Sequence, residues 1–143
     1  MAKIKYSKFG ATPFQQLLGH NENILMAWSA LEDSFFTSNT FTPELKEEVR
    51  RTLAFNNRCE YCMAKGNPSD NITDSKIIIA IKIADIISKG SIIKDEDFCK
   101  LKSQFSDEEI SELLAFICFI TASQRYGASL DLQPSSQIEF IKK

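Results

Sequence analysis

Apolar residues along this chain recur at intervals of three and four, the period of a helix with one buried face. The first such stretch begins at Pro13, behind Thr12 as N-cap, and carries Phe14, Leu17 and Leu18 before Gly19-His20-Asn21 stops it. A second runs from Ile24 to about Phe36, with Ile24, Trp28, Leu31 and Phe35 at helical spacing. Thr42-Pro43 opens a third by the same cap-then-proline logic. There Leu45, Val49, Thr52, Leu53 and Asn56 share a face, and Lys46, Arg50 and Arg51 lie off it. Asn56-Asn57 should interrupt this helix, because asparagine side chains compete for backbone hydrogen bonds. A fresh helix is then expected near Cys59, ending in the turn Gly66-Asn67-Pro68-Ser69-Asp70.

The stretch Ile72–Ser88 is crowded with isoleucine, which argues strand. Its length without Gly or Pro, and the spaced Lys76, Lys82 and Asp85, argue a buried helix instead, closed by Lys89-Gly90-Ser91. A shorter helix is expected over Asp95–Gln104 with Phe98 and Leu101 inward. Ser106-Asp107-Glu108-Glu109 is a capping box that starts a helix reaching Tyr126-Gly127. The tail, Asp131–Lys143, is expected to add at most one helical turn. No repeat or low-complexity segment appears. The pattern predicts an all-α protein.

Composition narrows the class. A length of 143 residues suits one domain, and 43% hydrophobic with 25% charged residues is ordinary for a globular fold. A net charge of -2 carries no electrostatic footprint for nucleic acid. The most apolar runs, Ile77–Ile87 and Leu113–Ala122, are too short to span a membrane, and Met1–Tyr6 does not read as a signal peptide. The expectation is a cytosolic protein with no membrane partner. In that compartment a Cys-x-x-Cys is more often catalytic or metal-binding than a structural disulfide.

Such a pair stands in Asn56-Asn57-Arg58-Cys59-Glu60-Tyr61-Cys62-Met63-Ala64-Lys65-Gly66. Two cysteines at the head of a helix can close a disulfide ring, hold a soft metal, or share a proton so that one becomes a thiolate. They can also be plain packing residues. The helix start would aim amide groups at the first sulfur. Cys99 and Cys118 are singletons on amphipathic helices and are expected to be core or near-core residues. Nineteen residues apart, they do not supply the second close pair that a four-cysteine zinc site needs. No metal or cofactor is expected. The βαβ context of a thioredoxin fold is absent, and His20, the one histidine, reads as a turn or capping residue.

The run Leu45-Lys46-Glu47-Glu48-Val49-Arg50 … Asn56-Asn57-Arg58-Cys59-Glu60-Tyr61-Cys62 resembles the signature of the carboxymuconolactone decarboxylase and alkyl hydroperoxidase D (AhpD-like) superfamily. In its redox-active branch a glutamate lies twelve residues before a Cys-x-x-Cys-x-x-x-His. Leu17-Leu18-Gly19-His20, Ala27-Trp28, and the helix from Phe105-Ser106-Asp107 to Arg125-Tyr126-Gly127 fit as well, so the resemblance spans residues 12–133. It implies an AhpD-like helical bundle, homo-oligomers, and thiol-dependent antioxidant chemistry with a dithiol reductant or peroxiredoxin as partner. The decarboxylase branch lacks the cysteine pair, so that activity is not implied. By position, the resemblance makes Cys59 and Cys62 the exposed and buried cysteines of a redox-active disulfide, and Glu47 the acid of a proton relay. On an unbroken helix Glu48 would instead face Cys59, eleven residues being close to three turns.

One departure has chemical weight. Gly66 stands where the family has its histidine, the residue that relays protons between glutamate and thiol. An unperturbed thiol is only about 3% thiolate at pH 7, and a positioned general base is typically worth about 10² to 10⁴ in rate. Disulfide exchange survives that loss more easily than peroxide reduction. The alternative reading is a catalytically degenerate, oligomeric binding or structural module of the same fold.

Overall fold

The computed structural model describes residues 2–134. Among the described residues there are seven α-helices and no strand: α1 (Pro13–Leu18), α2 (Glu22–Thr37), α3 (Pro43–Asn56), α4 (Glu60–Met63), α5 (Ser75–Ser88), α6 (Asp95–Gln104) and α7 (Asp107–Ser129). Three helices start at side-chain caps placed as the sequence predicts. Thr12 and Thr42 accept from the amides of Gln15 and Leu45, each at 3.1 Å. Ser106 and Glu109 close the capping box at 3.2 and 2.8 Å. The isoleucine-rich helix starts later than expected, at Ser75, because Asp74 accepts from the amides of Lys76 and Ile77 and so caps it there. Residues 131–134 are not helical; the rest of the predicted tail turn lies outside the described residues.

The core lies where α3, α5 and α7 meet. Val49, Leu53, Ile77, Ile83, Leu113 and Ile117 are buried there, each contributing roughly 1.5–3 kcal/mol of transfer free energy. Helix α2 is different, since none of its residues is fully buried. It rests on α7 through Trp28 and Phe35, whose rings lie 5.6 and 5.3 Å from that of Phe119. A smaller cluster of Ala2, Leu17 and Leu132, flanked by Phe14, Tyr61 and Tyr126, seals the side of the bundle next to the cysteine motif.

Two expectations need correction. Lys46, placed off the buried face, is only 6% exposed. Its ammonium donates to the carbonyl of Ser38 at 2.6 Å and that of Phe36 at 3.5 Å, satisfying acceptors at the end of α2. Cys99 and Cys118 are both exposed rather than core. On α7 the inward positions are Phe116, Ile117, Phe119 and Ile120, and Cys118 falls on the remaining face of that turn. Helix α6 buries only Leu101, so its neighbours stay at the surface.

Helices α3, α5 and α7 end alike, in paired backbone bonds around a residue of positive φ. After α3 the Cys59 amide reaches the Ala54 carbonyl at 3.2 Å and that of Arg58 reaches Phe55 at 3.2 Å, the Schellman arrangement. After α5 the left-handed residue is Gly90, but after α3 it is Arg58, at φ 53°. A side chain with a β-carbon costs about 1 kcal/mol in that conformation. Arg58→Gly is therefore expected to stabilise the protein by about 1 kcal/mol, measured as a rise in the denaturant midpoint with unchanged slope.

Candidate functional site

The break after α3 sets the geometry of the cysteines. Asn57, 7% exposed, donates to Gln124 Oε1 at 2.9 Å and accepts from Arg125 Nε at 3.1 Å. Gln124 returns a bond from Nε2 to the carbonyl of Arg50 at 3.1 Å. Helix α7 thus holds both the last turns of α3 and the residue that ends it. The chain leaves through Arg58 and restarts at once, with Cys59 as the N-cap of α4. Helix α4 is a single turn and carries little macrodipole. What it supplies is one amide, that of Cys62, donated to Cys59 Sγ at 3.3 Å.

Cys59 and Cys62 form a disulfide, with their Cα atoms 5.2 Å apart. Their exposure is the reverse of the expected order: Cys59 is fully buried, and Cys62 keeps access to the surface. Cys59 is enclosed because its sulfur packs against Gly127 of α7, where a β-carbon would stand 3.4 Å from Sγ. Cys62 instead lines a cavity of about 160 Å³ between α1, α2, α4 and α7. Phe14, Phe36, Tyr61 and Ile120 make its apolar wall, and Glu32, Arg50, Lys65, Ser123 and Gln124 its polar one. Trp28 Nε1 donates to Ser123 Oγ at 3.1 Å, joining α2 to α7 behind the cavity.

The two glutamates of α3 have separate tasks. Glu47 accepts from Arg50 at 2.7 and 2.9 Å and from Arg51 at 3.1 Å. The Arg50 hydrogen bonds hold its carboxyl below the ordinary range. It reaches the motif at second hand, since Arg50 Nη1 donates to the carbonyl of Cys62 at 3.1 Å. Glu48 is buried and accepts from the amide of Ser69 at 3.1 Å, from the Ser69 hydroxyl, and from Arg51 at 3.4 Å. It pins the loop that follows the motif. The unbroken helix that would have aimed Glu48 at Cys59 does not exist.

Gly66 has φ 137°, and a β-carbon there would lie 3.0 Å from Arg51 Nε. Arg51 fills the space beside Glu47 into which a side chain at 66 would project. Gly66→His is expected to lose about 1–2 kcal/mol from the backbone conformation alone, read from denaturant melts.

Glu32, Tyr61 and Lys65 were not singled out from the sequence. Glu32 carried a signal, since it stands four residues after Trp28 and three before Phe35 and interrupts the half-buried stripe of α2. Desolvation raises its pKa above the ordinary carboxylate value, with Lys65 opposing and Asp33 adding to the effect. Lys65 lies 4.9 Å above the Tyr61 ring. Its pKa is lowered by desolvation and by Arg50, an effect limited by the exposure of the residue. Desolvation raises that of Tyr61, assisted by Glu32 and Tyr6. Among the described residues no group of three or more His, Cys, Asp or Glu is placed to hold a metal ion, and no helix is long and apolar enough to cross a membrane.

No family model matches the sequence, and no curated protein is similar to it. Solved structures are. The chain superimposes on the debrominase Bmp8 in its apo form with a TM-score of 0.75 at 17% identity, covering 90% of this chain and 80% of that one. It superimposes on an uncharacterized peroxidase-related protein from Silicibacter sp. TM1040 with a TM-score of 0.70 at 16% identity, covering 86% and 76%. The fold is AhpD-like and all-helical.

A raised carboxyl pKa has a consequence for stability. Because Glu32 binds its proton more tightly folded than unfolded, its contribution is most favourable at low pH and is lost as pH rises through the folded value. Glu32→Gln cannot ionise. It is expected to melt above the wild type at pH 7, the gap narrowing as pH falls towards 4, in thermal melts across that range.

Proposed function

We propose that this protein is a thiol–disulfide oxidoreductase of the AhpD-like type, in which Cys62 and Cys59 cycle between dithiol and disulfide while reducing a peroxide or a partner disulfide. The observation that carries the proposal is the asymmetry of the pair. Cys62 opens on a cavity, while Cys59 is buried beside it within bonding distance. Cys62 attacks; Cys59 resolves. Two proteins of the same fold carry the descriptions debrominase and peroxidase-related, which supports chemistry on small molecules. Glu47 serves by orienting Arg50 against the motif backbone. A dithiol reductant or a peroxiredoxin partner returns the pair to the reduced state, in a reducing compartment such as the cytosol.

The same reading carries assembly into homo-oligomers. Most of the isoleucine surplus of α5 is taken up inside the chain, but Ile24 and Leu31 of α2, seven residues apart on one face, are 50% and 48% exposed, apolar surface suited to a second copy. The reading as a degenerate binding module draws on the positive φ of Gly66, which leaves no place for the family histidine.

Hydroperoxide consumption driven by a small dithiol separates the two. Cys62→Ser is expected to abolish turnover, and Cys59→Ser to allow one equivalent of peroxide per chain and then stop. Equal loss of the first equivalent in both variants would reverse the roles. No consumption by the wild type of peroxide or of a model disulfide would favour the binding module. In native thiol counting the oxidised protein should show two reactive thiols, Cys99 and Cys118, because both are exposed.

A further inference from the structure

Three carboxylates surround the motif, and two are already engaged. Glu47 is clamped by three donors from Arg50 and Arg51, and Glu48 is spent on Ser69 and Arg51. Neither lines the cavity onto which Cys62 opens; Glu32 does. It approaches from α2, on the half-buried face that carries Trp28 and Phe35. The groups that shape its field among the described residues are charges, not hydrogen-bond donors. Lys65 and Tyr61 face the cavity from the α4 end, Arg50 from α3, and Asp33 is its neighbour on α2. Tyr6 lies beyond Tyr61, and α7 brings only the uncharged Ser123 and Gln124. A carboxyl without a fixed partner, in the same small cavity as a nucleophile, is free to gain and lose a proton during a reaction.

We propose that the Glu32 carboxyl is the proton-transfer group of this site, taking the proton from the Cys62 thiol and returning it to the departing oxygen of a hydroperoxide. The inference rests on the redox reading of the cysteine pair. Glu32 as carboxylate accepts the thiol proton, and the Cys62 thiolate attacks the terminal oxygen of the hydroperoxide. The S–O bond forms, the O–O bond breaks, and the alkoxide leaves with the proton from Glu32 as an alcohol. Cys62 is then a sulfenic acid. Cys59 attacks its sulfur, the S–S bond forms, and the hydroxyl departs as water with the Cys59 proton. The dithiol has lost two electrons and the peroxide has gained them; an external dithiol restores the pair by exchange. A carboxyl in the cavity of Cys62, held above its usual pKa by desolvation, suits this shuttle, since it is a stronger base than Glu47, whose carboxyl the Arg50 hydrogen bonds hold down.

The test sets two measurements against each other in reduced protein. In Glu32→Gln, steady-state consumption of a small organic hydroperoxide with a dithiol reductant should fall on the order of 10²-fold. Alkylation of Cys62 by iodoacetamide at pH 6 should instead rise about three- to tenfold, because removing a nearby negative charge favours the thiolate. Glu32→Asp should recover part of the turnover, and Glu22→Gln, at the exposed start of the same helix, should match the wild type in both assays. A structural role for Glu32 predicts that turnover and alkylation fall together. That result, or unchanged turnover in a folded Glu32→Gln, overturns the inference. A wild type that consumes no hydroperoxide overturns the redox reading itself, and the inference with it; circular dichroism on each variant identifies a folding failure, in which case Glu32→Asp decides.

Discussion

The structure depends on a polar clamp at the end of α3. The buried Asn57 and Gln124 and the exposed Arg125 form a chain of hydrogen bonds that continues to the carbonyl of Arg50. Buried amides are costly to leave unpaired, each unsatisfied group losing about 1–3 kcal/mol, so the clamp tolerates little adjustment. It stops α3 at a defined residue, forces Arg58 into a left-handed conformation, and presents Cys59 to α7 as the cap of the next turn. A shift of one residue in that stop would turn the cysteines away from Gly127 and from the cavity.

The same clamp explains why the carboxylates divide their labour. Helix α3 runs straight through Glu47 and Glu48, so adjacent side chains leave it about 100° apart. One meets the two arginines of its own helix, and the other meets the loop around Ser69. Arg51 bridges both, and it stands against Gly66 as well. An arginine held in this way makes the region around position 66 a fixed ion-pair cluster rather than a path for protons. On the redox reading, proton traffic falls instead to Glu32 of α2, which lines the cavity and has no fixed donor among the described residues.

Helix α2 is held loosely for a functional element. It rests on aromatic contacts, the Trp28–Ser123 hydrogen bond and the Lys46 bond to the Phe36 carbonyl, with no fully buried residue. Such packing leaves one face apolar and open, and allows small changes in cavity width at low cost. Trp28 is the anchor that sets where Glu32 stands, so the position of the carboxyl and the packing of α2 on α7 are one property.

Much of the architecture was legible in the sequence because local rules governed it. Thr12, Thr42 and Ser106 cap helices through hydrogen bonds spanning three residues. Asn56-Asn57 does mark the end of α3, but its side chains bond Asp85, Ser88 and Gln124 of other helices rather than the backbone of their own turn. The cysteine pair could be found by spacing, since ring closure within α4 involves no distant residue. What escaped was decided by helices far apart in the chain. Which cysteine is buried depends on Gly127, and the exposure of Cys118 on the side of α7 left uncovered. The burial of Lys46 depends on where α2 ends, and the place of Glu32 beside Cys62 on how α2 crosses α7. Periodicity assigns a residue to a face of its helix; only packing determines what that face meets, because the partner's surface is set by contacts that no local spacing encodes.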